Sequence, residues 1–534
     1  MSIAELASRV MSLAQDGGAA DAARLGREGL AELASRDGVL PLDAAALWYA
    51  VAVAEHSRGL SAEQVAAAGE CLAVARAHAS PGWASNALSL RAMGLARLGS
   101  VEQAITDLAV AEAELLETED VGLSCWAHTG LGYCYDQLRL YELAQPHFEA
   151  AVAEDASPIQ LPEAPVIDLL NLAEMHLRWA DELERVVPLH ASEREVREQH
   201  DRGVRWSRAA LEVAGTLGVD SYWQSSKRLD LCLRAETEPT DVVPELRRAL
   251  EETASSDASS RAGGRTQVAT ALARALRRLG DLEGAVEAAR TAVEAARGPS
   301  DWQVVAAARH LLVELEAEQG LPGALDGREY GRLLSGVLWV QRLHTLQGAR
   351  TALDVERLQR ARELAEQVAR EDPLTGLGNR RALDEAVQRL LSVPTPPRGD
   401  RASDVVVHSL LLFDVDGFKG VNDRYGHLVG DDVLRAVAGA LSSQARADDV
   451  IVRLGGDEFV VLAPGATAAA ARDLVARMSE ALDGVDWGVI APELSLHVSV
   501  GVSTTDVSTG LQDLVGAADM AMYAVKNETV QGSG

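Results

Sequence analysis

The sequence is poor in the features that would carry a protein out of the cell, into a membrane or onto nucleic acid. Its four cysteines, Cys71, Cys125, Cys134 and Cys232, show no paired CxxC spacing and lie in helical, alanine-rich sequence. They are expected as buried thiols in a reducing cytosol rather than as a disulfide or metal framework. The opening MSIAELASRVMSLAQDGG has no basic stretch leading into a continuous apolar core, and no later run reaches about 18 apolar residues. Neither secretion nor membrane insertion is expected, which leaves a cytoplasmic location. Positive charge is also scarce: 50 Lys and Arg against 80 Asp and Glu give a net charge of −30. That balance argues against a surface for duplex nucleic acid or anionic lipid, since neutralising phosphates needs clustered cations. It leaves nucleotide binding open, because a few local cations, backbone donors and a divalent metal suffice for that.

What is present is length and apolar content: 534 residues, 47% of them hydrophobic, enough for several domains with real cores. From Met1 to about Pro322 the chain is rich in Ala, Leu, Glu and Arg with apolar residues at helical spacing, so this half is expected to be all helix. A pattern recurs at Leu98, Leu138 and Leu279. Each copy sets a small residue (Ala104, Ala144, Ala285), a larger or equal one four on (Leu108, Phe148, Ala289) and Ala three further (Ala111, Ala151, Ala292). Small residues at those offsets let two helices pack closely. The middle copy extends back through Leu131, Gly132 and Tyr135, and there the half resembles the tetratricopeptide repeat family. The step from Ala104 to Ala144 is longer than the roughly 34-residue period of that family. Pro158 to Asp241 fits it only in fragments, such as Trp206 to Ala214. Residues 1–326 therefore read as a degenerate, tetratricopeptide-like region offering a binding surface for an unnamed protein or ligand. Its histidines, including His128, His147 and His190, are expected at the surface or in packing.

Residues 327–370 read as a helical linker. Leu346, Ala349 and Leu353 form one apolar block, and Leu358, Ala361, Ala365 and Val368 another. A coiled-coil stalk with a stutter gives this pattern, and so does an amphipathic helix lying on its own domain. Glu371-Asp372-Pro373 ends the helix, since the residue before proline leaves the α region. Beyond it, helices alternate with strand-like runs: a helix near 379–391, a Pro-rich loop, VVVHSLLLF from Val405, helices over 418–425 and 430–445, a hairpin, a helix near 467–482, a strand near 496–504 and a helix over 511–527. That order predicts an α/β or α+β domain over residues 371–534.

The hairpin carries the chemistry. Apolar runs flank Gly455 and Gly456, which tolerate positive φ, and Asp457 and Glu458 follow at once. The strand from Val405 ends in Asp414-Val415-Asp416. If the hairpin pairs beside it, Asp414 converges on Asp457 and Glu458, and carboxylates so close are tolerable mainly around divalent cations. Hard oxygen ligands favour Mg²⁺ or Mn²⁺ bridging a triphosphate.

DPLTGLGNRRAL from Asp372, FDVDGFKGVNDRYGHLVGDDVL from Phe413 and RLGGDEFVVL from Arg453 resemble, in order and spacing, the motifs of the GGDEF family of diguanylate cyclases. The resemblance spans about residues 371–527. It implies a palm-like, nucleotidyl-cyclase-like fold and the condensation of two GTP into cyclic di-GMP with release of two pyrophosphates. Each domain would hold one GTP, so a homodimer is implied. By the same resemblance Asp414, the Val415 carbonyl, Asp457 and Glu458 hold the metal, and Asp457 or Glu458 takes the 3′-hydroxyl proton. Asn422 and Asp431 read guanine, His427 lines the pocket, and Lys419 and Lys526 face the phosphates. Arg446 and Asp449, an RxxD ahead of Gly455, match the family's inhibitory product site.

One departure stands out. Where the family continues past Lys526 with Gly-Arg-Asn, this chain has Asn527-Glu528-Thr529, so an arginine expected near the phosphates is missing. The rival expectation is therefore a weak or inactive effector that binds GTP or cyclic di-GMP and acts through protein contacts. No hydrolase motif of the EAL type is visible.

Overall fold

A computed structural model describes residues 2–15, 17–35, 40–154, 164–187, 189–218, 220–254, 262–296, 302–392, 407–506 and 516–522. The chain divides into two compact units, Met1–Arg357 and Leu358–Gly534.

The first unit is helical throughout its described residues, as the composition predicts. Helices follow one another as antiparallel hairpins, for example Pro81–Arg97 with Val101–Leu116, Val121–Gln137 with Tyr141–Glu154, and Ala262–Arg278 with Leu282–Ala295. The repeated small positions are the contact points: Ala104, Ala111, Ala144, Ala285, Ala289 and Ala292 are fully buried. A Cβ at Gly132 would stand 2.8 Å from the Phe148 ring, so the glycine is what lets these two helices close. The hairpin turns use left-handed residues, Gly99 at φ 86° and Gly280 at φ 80°; the middle repeat instead has Arg139 at φ 63°, a backbone cost of roughly 1–2 kcal/mol for a residue with a Cβ. The segment that fits the repeat poorly holds the long helices Ala164–Val186 and Glu193–Leu217, of 23 and 25 residues, and their length is what breaks the period. All four cysteines are buried thiols outside any disulfide, and burial pushes the Cys134 and Cys232 thiols up to about 12.

The linker is part of one helix, Ala324–Val368. Trp339, Arg342, Leu346, Ala349 and Leu353 are buried, so the first apolar block belongs to the core of the first unit. In the second block Leu358 and Val368 are exposed. The two blocks thus have different environments, which the shared spacing conceals.

The second unit is built on a four-stranded antiparallel sheet in the order β2-β3-β1-β4. The strands are β1 (Val407–Val415), β2 (Val450–Gly455), β3 (Glu458–Ala463) and β4 (Val498–Asp506). Both faces are covered, which is why β1 reads as an unbroken apolar run instead of an alternating one. Leu411, Phe413, Phe459 and Val461 pack with the helices His427–Gln444 and Ala468–Asp483. Leu410, Leu412, Val460 and Leu462 pack with Leu383 and Val387 of the helix Arg380–Ser392 and with Ala518 and Met522. The Pro-rich loop and most of the expected final helix lie outside the described residues, as does Lys526. No described helix is long and apolar enough to cross a membrane.

Candidate active site

The β2–β3 hairpin lies beside β1, so the acids meet at one end of the sheet. Asp414 is the direct cross-strand partner of Glu458, and such partners project to the same face at about 5 Å. Asp457 occupies the turn, where its carbonyl accepts a hydrogen bond from the Val415 N–H at 3.3 Å. Gly455 at φ 147° and Gly456 at φ 58° make this turn, with a register shift between Arg453 and Gly455 that aims the two acids toward the end of β1. Asp414, Asp457 and Glu458 are all half-buried, open enough to admit a ligand. Among the described residues no three His, Cys, Asp or Glu side chains form a metal cage of their own.

The turn is held by two residues to which the sequence reading gives no role. Arg453 donates from Nε and Nη2 to the Gly456 carbonyl at 3.0 and 2.7 Å, and from Nη1 to both carboxylate oxygens of Asp372 at 3.2 Å. Asp372 in turn accepts from the Thr375 backbone N–H and hydroxyl at 2.9 and 2.7 Å. Partial burial works against the charge on Asp372, but the Thr375 donors and Arg453 outweigh it and hold the carboxyl below its usual range. Asn379 donates to the carbonyls of Ala369 and Glu371, and Gly378 exchanges backbone hydrogen bonds with Ile451 and Arg453. The stretch after the long helix therefore fastens that helix's end to the hairpin. The visible signal was a cluster of Asp, Thr and Asn at turn spacing, residues that bond nearby backbone.

Asn422 lies on the short helix Phe418–Tyr425, and Asp431 on the helix His427–Gln444 that follows the Gly426 turn, φ 87°. Gly430 lets the two helices approach closely: a Cβ there would be 2.1 Å from the Asn422 Oδ1. Both side chains are half-buried, whereas Lys419 and His427 are exposed. Just past the end of β1, Asp416 accepts from the Ser499 hydroxyl at 2.8 Å and lies 2.9 Å from the His497 Nδ1. This link from the β1 end to β4 joins residues far apart in sequence and had no local signature.

The RxxD pair sits in the turn before β2, where the Asp449 carboxylate accepts from the Arg446 backbone N–H at 2.9 Å. The Arg446 side chain is exposed.

Comparison with known proteins gives these features a family. Residues 369–531 match the family described as diguanylate cyclase, GGDEF domain, and residues 266–299 match a tetratricopeptide repeat. The C-terminal unit carries a GGDEF domain, and the helical half carries at least one recognisable repeat. The diguanylate cyclase DgcP of Pseudomonas aeruginosa is 36% identical over 30% of this chain and 23% of its own length. The diguanylate cyclase DgcM of Escherichia coli is 34% identical over 33% of this chain and 40% of its own. The chain thus spans less than half the length of these curated relatives. Among solved structures, the coiled coil and GGDEF domain of DgcB from Caulobacter crescentus in complex with c-di-GMP is 26% identical, covering 34% of this chain and 92% of that one, with a TM-score of 0.30.

Proposed function

We propose that this protein is a diguanylate cyclase, joining two GTP molecules into cyclic di-GMP and releasing two pyrophosphates. The observation that carries the reading is the pairing of Asp414 with Glu458 across β1 and β3, with Asp457 in the adjoining turn. Asp414, the Val415 carbonyl, Asp457 and Glu458 would hold Mg²⁺ or Mn²⁺. The ion supplies positive charge to the triphosphate and to the developing negative charge at the α-phosphorus.

The chain's own residues do the rest. Asn422 and Asp431 hold the guanine base, the Asp431 carboxylate accepting from N1–H and N2–H₂, a pattern adenine lacks. Lys419 and Lys526 would supply positive charge for the phosphates, and His427 would line the base pocket. Asp457 or Glu458 accepts the proton of the 3′-hydroxyl. The freed oxygen forms its bond to the α-phosphorus of the facing GTP, the α–β bridge breaks, and pyrophosphate leaves with that electron pair. Each domain holds one GTP, so two copies face each other, and the repeat region governs their activity through a bound partner. Arg446 and Asp449 bind product and restrain turnover. For that, the Asp449 oxygen now bonded to the Arg446 N–H need not be released, because a carboxylate has acceptor sites to spare.

Purified protein incubated with GTP and Mg²⁺ is expected to yield cyclic di-GMP, and Asp457→Ala to yield none. Binding of GTP without any product would instead favour the effector reading, which rests on the missing arginine after Lys526.

A further inference from the structure

Between the helices Asp43–Ser57, Pro81–Arg97, Val121–Gln137 and Ala164–Val186 lies a groove of about 600 Å³, the size of sites that enclose a small molecule. Two ring contacts span it. Tyr49 meets Trp126 at 5.4 Å between centroids, and His56 meets Tyr133 at 6.0 Å. Both steps, 49 to 56 and 126 to 133, are seven residues, so the two helices run the same way and the ring pairs stand about 10 Å apart. The groove's two ends differ in chemistry. Arg97 touches His56, which puts Leu90, seven residues earlier, beside the Tyr49–Trp126 pair, with Val53 and Met93 between the ends. On the last helix Asp168 is buried and accepts from the Thr129 hydroxyl at 2.8 Å. Asn171 stands one turn beyond Asp168, as Tyr133 stands one turn beyond Thr129, and so belongs to the end that holds His56 and Arg97. One end is apolar and aromatic, and the other carries the polar groups.

The polar end has donors to spare. The His56 Nδ1 lies 3.2 Å from both the Gln64 Oε1 and the Arg97 Nη1. A neutral imidazole nitrogen can donate to the first or accept from the second, but not both. Gln64 is fully buried, and a buried amide oxygen needs its donor, so the His56 proton goes to Gln64. Arg97 is then left without an acceptor, and among the described residues no carboxylate pairs with it. The Tyr133 hydroxyl and the Asn171 amide likewise make no hydrogen bond among the described residues. Burial, with the Arg97 charge adding to it, holds His56 near 4, so the ring stays neutral at pH 7 and Arg97 is the one cation on this wall.

We propose that this groove binds a hydrophobic carboxylate, one carboxylate head on an apolar body of ring or chain, with the head at Arg97 and the body against Tyr49, Leu90, Met93 and Trp126. The guanidinium fork offers two parallel N–H groups to the two carboxylate oxygens, and Tyr133 and Asn171 supply further donors. A second negative charge on the ligand would find no cation here and would face Asp168. The groove lies wholly within the helical unit, so its occupancy can be measured whether or not the C-terminal unit is catalytically active.

The test is titration calorimetry of the full-length protein with sodium naphthylacetate and, separately, sodium octanoate, each compared with its uncharged amide and with sodium acetate. At least one of the two acids is expected to bind saturably at one site per chain, and which one does so assigns the body as ring or chain. Its amide should bind at least tenfold more weakly, and acetate, a head without a body, should show no saturation. Arg97→Gln, at an exposed side chain, should weaken binding of the acid at least tenfold, to the level of the amide. Val53→Trp, at a half-buried position between the two ring pairs, should fill the groove and abolish binding of the acid; if that variant does not fold, Arg97→Gln decides alone. Failure of both acids to saturate on the wild type overturns the proposal. So does an undiminished affinity for the acid in Arg97→Gln, or acetate that binds as tightly as the acid.

Discussion

The two units handle charge in opposite ways. In the helical unit, arginines and acids are drawn inside: Arg274 is 5% exposed with three acids around it, and Arg342 is 3% exposed. Arg342 donates to the Arg139 carbonyl at 2.6 Å, pairs with Glu142 and lies over the Tyr141 and Trp339 rings. In the C-terminal unit the sheet's interior is apolar on both faces, and the acids stand at the rim where β1 ends. Buried, partnered charges fix which helix lies against which, at a desolvation cost that makes each pair irreplaceable by halves. Rim carboxylates add little to folding, and in the proposed function they gather a metal and a nucleotide. A substitution of charge should therefore unfold the first unit and disable the second.

Asp414→Asn tests the second half of that contrast most severely. The variant should lose about 10³-fold or more in cyclic di-GMP synthesis, as expected when an acid at a two-metal phosphoryl-transfer centre is neutralised, with both unfolding midpoints within experimental error of wild type. Retained synthesis, or loss that merely tracks unfolding, would break the comparison. In the first unit, Arg342→Ala strips the partner from Glu142 and leaves the Arg139 carbonyl without its donor. Loss of a buried pair in this way costs about 3–5 kcal/mol, read as an earlier urea transition of the helical unit.

The same contrast sets a pH dependence. Burial lowers His56, His128 and His176 each to about 4; Arg97 adds to the effect at His56 and His147 at His128. In the unfolded chain these imidazoles take up protons near 6.5, so between about pH 6.5 and 4 the unfolded state binds more protons than the folded one. Stability then falls as pH falls, with a slope of roughly 1.4 kcal/mol per pH unit for each proton concerned. The helical unit should lose stability through this window, measured by urea unfolding at fixed salt. A flat profile would mean that these rings are not buried as neutral groups.

The sequence shows the two regions unequally. The helical half declares its secondary structure and its contact residues, since Ala104, Ala111, Ala144 and Phe148 are marked by spacing alone and are buried. It hides the arginine networks, because Arg139 and Arg342 are far apart in the chain and meet only through the packing of the long helix onto the repeats. The same long-range packing is what separates Leu346 from Leu358, which periodicity treats alike. In the C-terminal unit, β1, the hairpin and the acids at their ends are legible because strand runs and a glycine turn are local signals. The supports of that site were less so: the Arg453–Asp372 contact and the Asp416–Ser499 bond each bridge some 80 residues, and only the folded sheet brings their partners together.

The smallest of the expected effects probes the proposed guanine pocket without touching a charge. Gly430 is a glycine because Asn422 occupies the space a side chain would need, with its Oδ1 2.1 Å from the position of a Cβ. That residue is not in a left-handed conformation, so alanine meets no backbone penalty and even favours the helix by roughly 1 kcal/mol. The contact must instead be relieved by turning Asn422 away. Gly430→Ala should therefore leave the unfolding midpoint of the C-terminal unit nearly unchanged and raise the KM for GTP about tenfold, the equivalent of about 1.4 kcal/mol, with kcat altered much less. Asn422→Ala should give a similar rise, and the double variant Gly430→Ala/Asn422→Ala should be no worse than either alone, because both remove the same hydrogen-bonding group. Additive losses would place the role of Gly430 elsewhere than in seating Asn422.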